Sequence, residues 1–239
     1  MTQPPSSAEK SAAAPAAPLP LPKRVAVLGG TGDLGGGLAR FLVRQGVEVI
    51  IGSRDGARAA AAAEQLRQEI PAARVSGTEL AAAASSGELV ALAVPYAAHG
   101  ATLTAVRAAV QGKILLDTTV PLRPPKVMRV QLPAAGCAAL ETQQLLGEGV
   151  RVVSALQNIS AIHLAAGTPP DCDVLVTGDS EAARQVVIEL LQAGGLRAWH
   201  AGPLANSAAA EALTSILIGI NKRYKFPGAG IRITDGSAH

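Results

Sequence analysis

Short apolar runs alternate with longer amphipathic segments along the first half of the chain. The runs predict strands at residues 24–28, 47–51, 75–77, 88–94 and 113–116, and the segments between them predict helices at 34–44, 57–69 and from Tyr96 to about residue 110. The 88–94 run is almost continuously apolar, as in a strand buried on both faces. This alternation predicts an α/β fold with a doubly wound parallel sheet of the Rossmann type.

The second half repeats the alternation with different spacing. It predicts helices at 138–146, 181–192 and 206–221, strands at 150–155, 173–177 and 196–200, and a final strand at 231–234. We therefore expect a disordered Ala/Pro-rich tail at 1–22, a Rossmann domain at 23–150 and a smaller C-terminal α/β domain at 151–239. The 206–221 helix is apolar around much of its circumference, which predicts burial against a neighbouring subunit or domain.

A glycine motif follows the first predicted strand. Gly30, Gly32 and Gly35 form a G-x-G-x-x-G pattern between that strand and a helix, which is typical of a dinucleotide-binding βαβ unit. We expect Gly30 to permit the tight turn, Gly32 to let the backbone approach a pyrophosphate and Gly35 to let the helix pack closely. The free N–H groups of the helix N-terminus favour phosphate there.

The end of the second strand indicates which dinucleotide binds. NAD enzymes usually place Asp or Glu about 20 residues after the glycines, whereas this chain has Ser53 and Arg54 there, with Arg58 one helical turn later. A hydroxyl and two guanidinium groups suit a 2′-phosphate, so the sequence favours NADP over NAD. Asp55 is interpreted as the N-cap of the next helix, and the alternative for both arginines is a solvated helix face.

Composition narrows the function classes. Apolar residues make up 49% of the 239 residues but aromatic residues only 2%, and 21 Lys and Arg against 18 Asp and Glu give a net charge of +3. This balance does not favour nucleic-acid binding. Cys137 and Cys172 lack metal-ligand spacing and are expected to be small buried residues of a reducing compartment. No apolar window is long enough to cross a membrane and no signal peptide is evident, so we expect a cytoplasmic protein without a membrane or metal partner.

Three features leave alternatives open. His99 can lie near a nicotinamide or, as the residue type favours, be a surface or helix-start histidine. Tyr96 can stack on a ligand ring or simply pack. The 221–225 cluster, with Lys222, Arg223 and Lys225, can attract an anionic ligand or complement the dipole of a helix C-terminus.

Several blocks of sequence in order carry a resemblance to a known family. They are the glycine-rich segment 29–38, Ile51-Gly-Ser-Arg54, Val94-Pro95, Val120-Pro121, the 152–156 segment, the 173–176 strand, Gly178-Asp179, the 201–204 segment and Glu211-Ala-Leu-Thr214. Together they closely resemble the NADPH-dependent reductases of the deazaflavin coenzyme F420 over about residues 24–233. The resemblance implies a homodimer in which the C-terminal domain binds the deazaflavin and takes part in dimerisation.

The resemblance also implies hydride transfer between NADP(H) and F420, with positioning in place of a catalytic side chain. The implied coenzyme contacts are Gly30, Thr31, Gly32, Asp33, Leu34, Gly35, Ser53, Arg54, Arg58, Val94, Pro95, Gln157, Ile159 and Ala161. Gln157 departs from the family, which can carry His there. Gln cannot be protonated but can form hydrogen bonds, so it is expected to orient the deazaflavin. The alternatives are an NADP-dependent reductase of another acceptor, such as an imine or a ferric chelate, and a non-catalytic NADP-binding redox sensor.

Overall fold

The computed structural model describes residues 18–236, which form eight strands, eight α-helices and one short 3-10 helix. The strands are β1 Arg24–Leu28, β2 Glu48–Ser53, β3 Val75–Glu79, β4 Leu89–Leu92, β5 Ile114–Asp117, β6 Arg151–Ser154, β7 Asp173–Gly178 and β8 Arg197–His200. The helices are α1 Asp33–Arg44, α2 Gly56–Glu69, α3 Leu80–Ser86, α4 Tyr96–Val106, α5 Ala138–Leu146, α6 Ala161–Ala166, α7 Glu181–Ala193 and α8 Ser207–Tyr224, with the 3-10 helix at Leu204–Asn206.

All eight strands share one sheet in the order β3-β2-β1-β4-β5-β6-β7-β8. The first six strands of the chain run parallel. The chain builds the sheet outward from β1 to β3 and then returns to place β4 on the other side of β1, so a crevice lies at the carboxyl ends of β1 and β4. Open α/β sheets bind ligands at such a switch point. The expected Rossmann-type sheet is confirmed.

The far edge of the sheet departs from the parallel prediction. β7 pairs with β6 antiparallel, Val153 opposite Gly178, and β8 then runs parallel to β7. The 18 residues between β6 and β7 hold only the six-residue helix α6, which does not carry the chain back across the sheet. A parallel connection needs such a crossover, so β7 returns in the opposite direction.

Aliphatic residues fill the core on both faces of the sheet. α1, α2 and α7 pack on one face with Leu42 and Leu191, and α3, α4 and α5 pack on the other with Leu103 and Leu146. β1 and β4 contribute to both faces, since each of their apolar residues from Val25 onward is buried. Both cysteines are buried, as expected.

Several predicted elements need correction. The short helix α3 was not predicted, because Ala81–Ala84 give it no amphipathic pattern. α4 ends at Val106, four residues before the predicted end, where the chain continues in turns. Residues 231–234 are not a strand, since only Ile231 and Ile233 bond to Asp173, through its N–H and its carboxylate, without a ladder.

The long helix α8 buries only one narrow face against its own chain. Ala210, Glu211, Ser215 and Leu217 are buried, whereas Ile216 is 52% exposed. The predicted tail lies mostly outside the described residues, which exclude 1–17 and 237–239; within its last part Pro22 is buried and Leu19 packs on the core. The sheet continues across the predicted domain boundary at residue 150, because β6 pairs with β5. The division into two domains stays a prediction.

Candidate functional site

The glycine-rich loop between β1 and α1 lies at the switch point of the sheet. The left-handed residue of this turn is Gly29 (φ +87°) rather than Gly30, so the role expected of Gly30 belongs to its neighbour. A Cβ on Gly29 would lie 2.5 Å from the carbonyl oxygen of Ala93. The loops after β1 and β4 therefore meet backbone to backbone, which only glycine allows.

Gly35 has the role predicted for it. A Cβ there would collide with the carbonyl of Gly29 and lie 2.9 Å from the Cα of Gly30. The first turn of α1 is consequently pressed against the loop. Gly32 is the N-cap of α1 and is exposed. Its N–H donates to the carbonyl of Gly29 at 3.0 Å.

A cavity of about 560 Å³ opens beside this loop. Its lining brings together four of the predicted contacts from the loop with one from α6: Gly30, Thr31, Gly32, Asp33 and Ala161. The N-terminus of α1, with its unbonded N–H groups, opens into the same space, which makes the cavity suited to phosphate. Leu34 is half-buried and Gly35 buried in the turn behind it.

Ser53 and Arg54 lie where β2 ends, next to the start of α2. The Ser53 hydroxyl oxygen accepts from the N–H of Asp55 at 3.3 Å, which leaves its O–H free to donate. Asp55 is the N-cap of α2 and accepts from the N–H of Arg58 at 3.1 Å, as predicted. Arg54 and Arg58 are exposed, and no carboxylate of the described residues pairs with either. Ser53, Arg54 and Arg58 follow the strand next to β1, but none of them lines the cavity of about 560 Å³.

Val94 and Pro95 form the turn from β4 into α4. Pro95 is the N-cap of α4 and exposed, and Val94 is half-buried against Gly29. This segment therefore borders the glycine-rich loop directly.

A second group of predicted residues follows β6 at the same edge of the sheet. Gln157 and Ile159 are buried and line a cavity of about 180 Å³ together with Asn158, Ser160, Thr214, Leu217, Ile218, Asn221 and Ala229. Ser160 lines both this cavity and the larger one beside the glycine loop. The two cavities therefore adjoin each other at this shared lining residue.

The backbone before Gln157 is strained. Leu156 is buried and adopts φ +74°, which is rare for a branched side chain. Three hydrogen bonds hold the next residue. The Thr214 hydroxyl donates to the Gln157 carbonyl at 2.7 Å, and the Gln157 side chain donates to the Asp117 carbonyl at 3.1 Å and to the Ser154 hydroxyl at 2.8 Å. α8 and β5 thus fix the turn that presents Gln157.

His99 is a helix-start residue, one of the two places that the favoured expectation allowed, but it is not on the surface. It lies in the first turn of α4 but is 2% exposed, and its Nε2 lies 3.2 Å from the carboxylate of Asp117 and 2.8 Å from the Thr142 hydroxyl. Burial alone would raise the pKa of Asp117, but hydrogen bonds from His99 and Thr142 outweigh it and lower that pKa. Sequence reasoning missed this cluster, because His99, Asp117 and Thr142 are far apart along the chain.

Tyr96 packs within the protein. Its hydroxyl donates to Glu141 at 3.0 Å, and its ring stacks on His99 at 5.9 Å between centroids. Arg123 lies 5.7 Å over the same ring, within reach of a cation–π interaction. Burial and the Glu141 carboxylate raise the pKa of Tyr96.

Glu211, which sequence reasoning cited only as part of a motif, joins α8 to α5. Its carboxylate accepts from the N–H groups of Ala138 at 2.7 Å and Ala139 at 3.1 Å, at the N-terminus of α5. Burial raises its pKa to about 7, even though these two bonds favour the ionised form. Near Glu211, burial also raises the pKa of the Cys137 thiol to about 11.

The basic cluster after Asn221 lies at the end of α8. Lys222 and Arg223 are in the last helical turn, where cations complement the dipole, and both are exposed. The Asn221 side chain accepts from the N–H of Ala229 at 2.7 Å and so folds the following segment back to the 180 Å³ cavity. A role of the cluster in ligand binding stays a prediction.

Within residues 18–236, no group of His, Cys, Asp and Glu side chains has the arrangement of a metal site. None of the helices in that range is long and apolar enough to cross a membrane.

Comparisons with known proteins identify the family. Residues 24–121 match the family model described as NADP oxidoreductase coenzyme F420-dependent. The F420-dependent NADP reductase of Methanothermobacter marburgensis is 40% identical over 89% of this chain and 98% of its own, and that of Methanocaldococcus jannaschii is 40% identical with the same coverage. The chain belongs to the F420-dependent NADP reductase family. A solved structure from Arthrobacter, provisionally described as an F420-dependent NADP reductase, superposes with a TM-score of 0.77 at 28% identity over 89% of this chain and 99% of its own.

Proposed function

We propose that the protein transfers a hydride between NADP(H) and coenzyme F420. NADPH, oxidised F420 and one proton give NADP⁺ and reduced F420, and the reverse reaction returns them. The observation that carries the proposal is the pair of adjoining cavities at one edge of the sheet. One is bordered by the N-terminus of α1 and the other is lined by buried amides.

The phosphate end of NADP fits the first cavity. Gly29 and Gly35 leave no room for a Cβ, and the N-terminus of α1 opens into the cavity, so Gly30, Thr31, Gly32, Asp33, Leu34 and Gly35 would hold the pyrophosphate. Ser53, Arg54 and Arg58 would hold the 2′-phosphate, because they offer one hydroxyl donor and two unpaired guanidinium groups.

The reacting ends belong between the two cavities. Val94 and Pro95 border the glycine loop and would flank the nicotinamide. Gln157 and Ile159 would contact the deazaflavin in the second cavity, and Ala161 in the first cavity lies next to the shared Ser160. This arrangement would let donor and acceptor meet face to face where the two cavities adjoin at Ser160.

The coenzymes supply the hydride chemistry themselves, and the chain's residues bind and orient them. Gln157 cannot transfer a proton, so its contribution is orientation through hydrogen bonds. The buried Ile159 and the half-buried Val94 offer apolar surface that excludes water from between the rings. Rate therefore depends on positioning rather than on an acid or base of this chain.

The reaction can be followed directly. Purified protein mixed with NADPH and oxidised F420 should bleach the visible absorbance of the deazaflavin, and NADH should be slower by tenfold or more. Tight NADPH binding without bleaching would contradict the proposal. It would favour an NADP-dependent reductase of an imine or ferric chelate, or a redox sensor.

We also propose that the chain acts as a cytoplasmic homodimer. The supporting observation is the exposed apolar surface of α8 and the segment after it, where Ile216, Tyr224 and Phe226 are each more than half exposed. A second copy of the chain would cover this surface. Light scattering should give a mass twice the 24.1 kDa of one chain. The variant Ile216→Glu should give the mass of a single chain.

A further inference from the structure

One pair of residues where β5 ends supports the segments that border both cavities. The Asp117 carbonyl oxygen accepts from the Gln157 side-chain amide at 3.1 Å and from the N–H of Ala155 at 3.2 Å. The next residue, Thr118, donates its N–H to the Leu92 carbonyl at 3.1 Å and its hydroxyl to the same oxygen at 2.9 Å. Asp117 and Thr118 therefore hold the turn that presents Gln157 and the end of β4 at the same time.

The side chain of Asp117 makes a second set of bonds, to α4 and α5. One carboxylate oxygen accepts from the Thr142 hydroxyl at 2.5 Å and lies 3.2 Å from His99 Nε2. The other accepts from the N–H of Thr119 at 2.9 Å. Because the Thr142 hydroxyl donates to the carboxylate, its oxygen can accept from His99 Nε2, which lies 2.8 Å away.

The segment 93–98, which contains Val94 and Pro95, is consequently held on both sides. Leu92 precedes it and is bonded to Thr118, and His99 follows it and is bonded to Asp117. The segment that borders the glycine loop and the turn that presents Gln157 thus share one support.

This support is rigid because it is built around a buried charge. Asp117 is 1% exposed and Thr142 is fully buried. Although burial alone would raise it, the hydrogen bonds from His99 and Thr142 lower the pKa of Asp117, so the carboxylate is ionised at neutral pH. Hydrogen bonds to an ionised group are about twice as strong as those between neutral groups.

We infer that Asp117 is a positioning residue for hydride transfer, which sets the distance between the nicotinamide beside the segment 93–98 and the deazaflavin beside Gln157. The inference rests on the proposed function. The reacting atoms must lie about 3–3.5 Å apart, and a misplacement of about 1 Å can slow a reaction by about 100-fold. Asp117 is buried, so it acts through Gln157 and α4 rather than on a coenzyme.

The groups proposed to bind the phosphates of NADP stand outside this network. The glycine loop follows β1 and Arg54 follows β2, and in the described part of the chain neither is hydrogen-bonded to Asp117, His99 or Thr142. A change in the network should therefore alter the rate of transfer between bound coenzymes and leave the affinity for NADPH unchanged.

The test is a single turnover at saturating NADPH and oxidised F420, with the dissociation constant of NADPH measured separately for each variant. Asp117→Asn keeps the shape of the side chain and removes its charge. The rate constant of hydride transfer should fall by about tenfold or more, while the NADPH constant stays within about twofold of the wild type.

Thr142→Val keeps the volume of the side chain and removes one donor to the carboxylate. It should slow the transfer by about threefold or more, and Thr142→Ser, which restores the hydroxyl, should return the rate to within about twofold of the wild type. Thr102→Val is the matched control. Thr102 is also buried, but its hydroxyl donates to the Ala98 carbonyl of its own helix at 2.8 Å, and the variant should react at the wild-type rate.

The outcomes separate the inference from the proposed function. Wild-type rates in both Asp117→Asn and Thr142→Val overturn the inference, and so does a slower rate that Thr142→Ser fails to restore or that Thr102→Val shares. If Asp117→Asn binds no NADPH because it does not fold, Thr142→Val decides. A wild-type protein that transfers no hydride contradicts the proposed function, and the inference falls with it. Slower transfer with an unchanged NADPH constant, restored by Thr142→Ser, supports the inference.

Discussion

Under the proposed function, Arg54 is the residue expected to decide the choice of dinucleotide. It is exposed at the end of β2, and its guanidinium has no carboxylate partner in the described part of the chain. Arg54→Ala should raise the KM for NADPH by tenfold or more, because one charge-assisted hydrogen bond contributes about 1.5–3 kcal/mol. The KM for NADH should change little, since NADH has no 2′-phosphate.

Arg107→Ala is the control for this measurement. Arg107 is also exposed, but it follows the C-terminal end of α4, far from the edge that carries the glycine loop. Steady-state kinetics with both nucleotides should leave Arg107→Ala unchanged. An unaltered NADPH constant in Arg54→Ala would remove the 2′-phosphate assignment.

The sequence identified the Asp55 cap because that side chain acts on a neighbour three residues along the chain. His99 was different: its partners Asp117 and Thr142 come from β5 and α5, and no local pattern marks them. The roles of Glu211 and of the anchored Gln157 amide were missed for the same reason. Buried polar networks depend on contacts between distant segments, which a single sequence does not display.

At the scale of elements, α1 depends on how closely it approaches the loop before it. Gly35→Ala should weaken both folding and NADPH binding, because the new methyl group would collide with the Gly29 carbonyl and push the helix N-terminus away. We expect a loss of stability of about 1–3 kcal/mol and at least a tenfold weaker NADPH affinity. Denaturant unfolding and nucleotide titration measure the two effects.

Gly100→Ala is the matched substitution in α4. A Cβ there meets nothing within 4 Å, so it should stabilise the protein by about 0.5–1 kcal/mol through helix propensity alone. If Gly35→Ala behaved like Gly100→Ala, the close approach of α1 would not matter for binding.

The predictability of the elements followed the strength of their periodicity. β1 and α5 have the predicted bounds, and most other elements differ by one or two residues at their ends. α3 was missed because a run of alanines has no distinct apolar and polar faces. Residues 231–234 resemble a strand in composition but form no hydrogen-bonded ladder with a neighbouring strand. The reversal of β7 depends on a connection that holds only the six-residue helix α6 and does not cross the sheet. Direction within a sheet is a property of the chain path rather than of the strand's own residues.

For the whole molecule, Glu211 makes stability depend on pH. Its pKa is raised from 4.5 to about 7 in the folded protein. Between pH 4.5 and 7 the carboxyl group is therefore ionised in the unfolded state but still protonated in the folded one. The stabilisation is complete below pH 4.5 and is lost as the pH rises through 7, a change of about 3 kcal/mol. The free energy of unfolding of the wild type should thus fall over this range.

Glu211→Gln removes the titration and keeps one acceptor for the N-terminus of α5. Its free energy of unfolding should fall less than that of the wild type between pH 4.5 and 7, when both are measured by denaturant unfolding. Asp117, whose pKa is lowered, loses its contribution only below its ordinary value of 3.8 and does not overlap this window. Parallel pH profiles for the two proteins would contradict the assignment.

The destination of the hydride tests the account most directly. NADPH is prepared with deuterium on one face of nicotinamide C4 and then on the other, and each preparation is reacted with oxidised F420 in ordinary water. The account predicts that one of the two gives reduced F420 with deuterium on its ring carbon and unlabelled NADP⁺. Deuterium lost to solvent, or no reduced F420 from either preparation, would contradict direct transfer between two coenzymes held at one edge of this sheet.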